Sequence, residues 1–197
     1  MLDRRAVLRG TLAAATLAAA SGHTPYRQWS VYRQKHLLIG CCRADAPTYP
    51  LAKSIAAVLA KWLPESRSRV SRAPDQQRLA SLITTGQLEV ILFSKADARA
   101  LNNGQDPFAK FGPSPLTALF RFGEYLLVSR PDFPDRHAWL VAKTLSERLA
   151  DFEAAAPANN VTLVRHPGAT AYAAGAREPA GPSTTDQTAS VPDDHSH

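Results

Sequence analysis

Two adjacent thiols, Cys41 and Cys42, are the only cysteines in the chain, and Arg43 follows them directly. Neighbouring cysteines rarely bridge, because the small ring that would form strains the peptide bond between them, so no disulfide framework is expected. No His or further Cys stands nearby at ligand spacing, so metal capture is not expected either. Small residues filling the end of a strand is the preferred reading. A few residues on, Thr48 and Tyr49 offer hydroxyls where a helical pattern begins, and a helix N-terminus favours negative charge. With Arg43 they would suit a small anion. An ordinary strand-to-helix loop whose tyrosine packs on the domain explains the same residues equally well.

A second polar group, Ser94, Lys95 and Asp97, follows the apolar run Leu88–Phe93, and a solvated helix start is its simplest account. His166 invites a catalytic reading, but a nucleophile or an acid–base pair needs a third group to orient it. The chain has no Gly-x-Ser-x-Gly, His-Glu-x-x-His, P-loop or dinucleotide fingerprint. Neither catalysis nor a cofactor is expected. Asp132 and Asp135 read as helix caps, and Asp193–His197 as a solvated ending rather than a metal site.

The elements that would position these groups alternate. Lys35–Gly40 reads as a buried strand and Cys41–Thr48 as its loop. Pro50 is tolerated in a first helical turn, and Leu51, Ile55, Val58, Leu59 and Trp62 then share one helix face up to Pro64. Arg69–Ser71 is a short strand. Asp75 is a good N-cap for a helix through Thr85, stopped by Gly86, with Leu79, Leu82 and Ile83 inward. A third strand ends at Phe93, and a short helix spans Ala96–Leu101. Leu116–Phe122 and Tyr125–Ser129 form either a hairpin around Gly123-Glu124 or one bent strand. A long helix is expected from Pro134-Asp135 to about Ala155, and a last strand at Val161–Val164. This alternation predicts an α/β fold, a single mainly parallel sheet with helices on both faces. Such sheets bind ligands at the carboxyl ends of their strands, which puts Gly40–Tyr49 and Ser94–Asp97 on one rim.

The ends of the chain bound its setting. Arg4-Arg5, the short apolar run Thr11–Ala20 and the small residues Ala18–Ala20 form the three parts of a twin-arginine signal peptide, expected over residues 1–20. A periplasmic protein is the expectation. A linker over 21–34, a domain over 35–174 and a disordered tail over 175–197 complete the division. The formal charge of +6 falls once the leader's arginines are removed, and basic residues do not cluster with aromatics, so no nucleic-acid partner is expected.

Four segments in order resemble the TAXI-type solute receptors of TRAP transporters. They are Leu38-Ile39-Gly40 leading to Thr48-Tyr49-Pro50-Leu51, Leu79–Leu82 with Thr85–Val90, Tyr125–Asp135, and Val161–Tyr172 with its His166-Pro167-Gly168-Ala169. The resemblance spans Leu37–Ala174. It implies one lobe of a type II-like periplasmic binding protein that hands a small anionic solute, a carboxylate or amino acid, to a TRAP-type membrane subunit. The ligand contacts it implies are Gly40, Cys41, Arg43, Thr48, Tyr49, Ser94 and Asp97, and it implies a structural turn at His166. Two departures stand out. The receptors are two-lobed, and here the second lobe is skipped between about Phe122 and Tyr125. The Cys41–Pro47 loop also replaces glycines that let backbone amides approach a carboxylate. An accessory protein that kept the fold, lost the ligand and binds another periplasmic protein is therefore the alternative.

Overall fold

The computed structural model describes residues 36–152, 155–158 and 163–180. The expected signal peptide, the linker, the Asp193–His197 ending and Val161-Thr162 lie outside them. Six strands form one sheet: β1 (Leu38–Cys42), β2 (Arg69–Ala73), β3 (Val90–Ser94), β4 (Thr117–Phe122), β5 (Tyr125–Ser129) and β6 (Ala155–Pro157). Their spatial order is β2-β1-β3-β5-β4-β6. Among the described residues, five α-helices accompany them: α1 (Thr48–Trp62), α2 (Gln76–Thr84), α3 (Lys95–Asn103), α4 (Asp135–Glu147) and α5 (Pro167–Ala173).

The sheet is mixed rather than mainly parallel. β1 runs parallel to both β2 and β3, whereas β5 is antiparallel to β3 and to β4, and β6 is antiparallel to β4. The physical reason is the connection at Gly123-Glu124. Two residues allow a hairpin, while a parallel return needs a crossover of a dozen or more. Gly123 sits at φ 57, in the left-handed region that glycine occupies without a Cβ penalty.

Side chains alternate along β1 and feed two buried layers. Ile39 and Cys41 pack with Ile55 and Leu59 of α1 and Val141 and Leu145 of α4. Leu38 and Cys42 pack with Leu79 and Ile83 of α2 and Leu101 of α3. Helices thus cover both faces, as the strand–helix alternation implied.

Several boundaries differ from expectation: β1 starts at Leu38, β2 runs on to Ala73, the helix after β3 spans Lys95–Asn103, and Leu163-Val164 are not in a strand. β1 runs on to Cys42, because both thiols fit the pleat and Cys42 pairs with Ala73 of β2. β3 starts at Val90 and takes in Ser94. α4 ends at Glu147 instead of continuing to Ala155. Ala155–Pro157 instead form β6, covering an edge of β4 that would otherwise be open, so tertiary pairing overrides the helix preference of an alanine run. Pro157 is tolerated because β6 is itself an edge strand. α2 matches its expected signals: the Asp75 carboxylate accepts from the Arg78 amide at 2.7 Å, and Gly86 follows at φ 69. No helix among the described residues is long and apolar enough to cross a membrane.

Candidate functional site

The parallel pairing of β1 with β3 brings the loop after Cys42 beside the start of α3. β5 enters the same rim from the other direction, since Tyr125 pairs with Ser94. The Tyr125 hydroxyl donates to Asp45 Oδ1 at 3.0 Å, tying the β1–α1 loop to the β3–β5 junction. Burial raises the Tyr125 pKa, and the bond to Asp45 and the nearby charges of Asp45 and Asp97 raise it further. This tyrosine therefore stays a proton donor to Asp45. Tyr125→Phe is expected to cost about 0.5–1.5 kcal/mol, seen as faster amide exchange in residues 43–47 with the sheet amides unchanged.

The seven residues expected at the ligand do not share one exposed surface. Gly40 lies within β1, and a Cβ there would fall 2.7–2.8 Å from Leu88, Ile91 and Leu79 side-chain carbons, so its smallness serves helix–sheet packing. Cys41 is fully buried on the α1 face. Neither reaches the rim, because β1 extends two residues past Gly40. Thr48 is 1% exposed, and its hydroxyl lies 2.7 Å from the Asp45 carbonyl and 2.9 Å from the Cys42 carbonyl, its one proton serving the loop.

Tyr49 is half-buried beneath the Arg72 guanidinium, 3.9 Å from the ring centre, with Lys53 at 5.7 Å. Ser94 caps α3: its hydroxyl accepts from the Asp97 amide at 3.0 Å and donates to Asp97 Oδ2 at 2.7 Å. Gln76 donates to the same Asp97 oxygen at 2.9 Å. Lys95 pairs with Glu124 at 2.9 Å. Of the seven, Arg43 alone is classed as exposed; its amide is held by the Ala73 carbonyl at 2.8 Å.

Sequence reasoning missed Asp45, Arg72, Gln76 and Tyr125. Tyr125 is visible as a polar-tipped opening to an apolar run, but nothing local reveals that its partner stands 80 residues earlier.

The two thiols are free and buried. Burial pushes the Cys41 thiol from 9.0 up to about 11, against the opposing pull of Arg72. Between these values the unfolded thiol ionises while the folded one keeps its proton, so stability falls as pH rises from 9 towards 11, by ~3 kcal/mol at most. Urea midpoints of wild type and Cys41→Ala, compared from pH 8 to 11, are expected to converge as this contribution is lost.

His166 is fully buried and N-caps α5. Its Nε2 lies 2.9 Å from the Phe133 carbonyl, and the Gly168 amide donates to Nδ1 at 3.2 Å. Both ring nitrogens are thus committed to backbone groups, the structural turn expected there. Asp132 is an ion-pair partner, not the cap expected: its carboxylate takes Arg130 Nε at 2.8 Å and Nη2 at 2.6 Å. The Arg130 bonds hold the Asp132 carboxyl below its usual range. Asp135 opens α4 without making a cap bond.

No family model matches this sequence, and no curated protein matches it. An open groove of about 430 Å³ lies at the end of the sheet away from the rim, walled by Ile83, Pro113, Pro115 and Leu116 beside the Arg130–Asp132 pair. Among the described residues, no group of three or more His, Cys, Asp or Glu side chains is placed to hold a metal ion.

Proposed function

We propose that this chain is an exported, one-lobed relative of the TAXI-type solute receptors that acts as a non-catalytic accessory protein, docking through its strand-tip rim onto another protein of the periplasm. The observation that carries this reading is the position of the β4–β5 turn. Gly123-Glu124 closes the hairpin at the rim, where the resemblance would have the chain leave for a second lobe. A lobe without its counterpart has no cleft to close, so hinge-driven capture of a solute is lost. The rim's polar side chains also satisfy one another: Asp45 with Tyr125, Asp97 with Ser94 and Gln76, Lys95 with Glu124. A surface so pre-organised is suited to meeting a protein, because ordering its side chains costs little on association.

Solute delivery to a TRAP-type membrane subunit is the second reading, favoured by exposed Arg43 and Arg72 on the same rim. Titration calorimetry against dicarboxylates and amino acids separates the two. The accessory reading expects no saturable heat below millimolar ligand. A micromolar site abolished by Arg43→Ala would restore the solute-receptor reading.

A further inference from the structure

The geometry points to an acid-released latch: protonation of His166 frees α5 from α4 while the sheet stays folded. The ring is fully buried and each nitrogen has a defined task. Facing a carbonyl, Nε2 carries the proton and donates to Phe133; facing an amide, Nδ1 offers its lone pair to Gly168. This is the neutral ring in one tautomer. A second proton can only go to Nδ1, where it would confront the Gly168 N–H, donor against donor, and remove the cap of α5.

The cap fixes a close approach. A Cβ at Gly168 would lie 2.0 Å from the Asp135 carbonyl oxygen and 3.0 Å from Ala138 Cβ, so α5 rests directly on the first turn of α4. Further along, Tyr172 meets Trp139 edge-on at 5.5 Å, and Trp139 Nε1 donates to the Ala176 carbonyl at 3.2 Å. α5 has only seven residues, too few to be a stable helix by itself, so its order depends on these contacts.

The surrounding charges do not rescue the protonated ring. From α4, Asp135 Oδ1 lies 3.7 Å from Nδ1 but is largely exposed, and Arg136 is engaged with Glu178 of the C-terminal segment at 2.7 Å. His137 also packs against Phe133, its ring 5.9 Å from the phenyl centre. Arg130 and Asp132, before α4, are paired with each other, and Arg165 precedes the histidine as a further cation. Thr117 and Ser129, on the adjoining strands, contribute neutral hydroxyls bonded to each other. Burial outweighs the Phe133 bond and Asp135, and holds the His166 pKa below 6.5. The latched state therefore resists the proton that the released state accepts near pH 6.5. Opening is favoured as pH falls below that value, by about tenfold per unit until the latched ring itself titrates. An extracytoplasmic protein meets such pH changes directly.

Hydrogen exchange of the mature chain, read as protection factors from pH 7.5 to 5, tests this. Wild-type α5 amides are expected to lose protection by about fivefold between pH 6.5 and 5.5, with β1 and β3 amides unchanged. His166→Gln keeps a donor and an acceptor without titrating and is expected to give a flat profile. Parallel loss in both proteins, or loss of α5 and the sheet together, would overturn the latch. If the variant does not fold, an NMR titration of His166 in the wild type decides: a ring that protonates while α5 stays protected would overturn it equally.

Discussion

Adding one methyl group, Gly168→Ala, is expected to lower the unfolding free energy by about 1–3 kcal/mol. Intrinsic preference argues the other way, since alanine favours a helix over glycine by about 1 kcal/mol. Packing decides the sign. The new carbon would sit 2.0 Å from the Asp135 carbonyl oxygen and 2.8 Å from its carbonyl carbon, and backbone, unlike the end of a flexible side chain, cannot turn aside. Either α5 lifts from α4 or the first turn of α4 distorts. Lifting also breaks the bond by which buried His166 caps α5 and parts Trp139 from Tyr172. Urea denaturation gives the size of the loss. A variant as stable as wild type would show that α5 does not pack on α4 this closely.

The other large effect is expected on the opposite face of the sheet. Phe93 projects from β3 into the layer beneath α2 and α3, where its ring stacks on Phe108 at 5.6 Å, and both rings are almost wholly buried. Phe93→Ala removes a large apolar volume and leaves a void that the rigid strand cannot fill, at a cost of about 3–5 kcal/mol. The same residue directly precedes Ser94, the cap of α3. Exchange in α3 is therefore expected to rise more than exchange in α4, which packs on the other face. A loss below 1 kcal/mol would mean that this second layer is not a true core.

How much of this was legible in the sequence depends on how local each signal is. α2 could be read almost to the residue, because Asp75, the Leu79–Ile83 face and Gly86 all lie within a few positions of one another. The hairpin was visible at Gly123-Glu124 only as one of two options. Its consequence, that β5 slots between β3 and β4 and makes the sheet mixed, is a pairing between segments with no local mark. β6 was missed because the preceding helix was expected to run to about Ala155, and only the uncovered edge of β4 makes Ala155–Pro157 a strand.

At the site the same division holds. The nearness of the β1–α1 loop to the start of α3 followed from the strand-to-helix alternation, although Gly40 and Cys41, expected on that rim, lie inside β1. The roles of the individual residues did not follow. Gly40 and Thr48 have the residue types of a ligand loop, yet one makes room for three side chains and the other bonds its own loop. Residue type is local, whereas burial is set by the whole chain.

We propose that the strand tips are the surface that meets another protein. The most direct test of that contact is photo-crosslinking in the native compartment, with a benzophenone side chain placed at Arg43 on the rim or at Arg69, exposed at the opposite end of the sheet. A discrete protein adduct from position 43, absent from position 69, is the result expected. Indistinguishable profiles from the two positions, together with a micromolar solute competing at the rim, would contradict it.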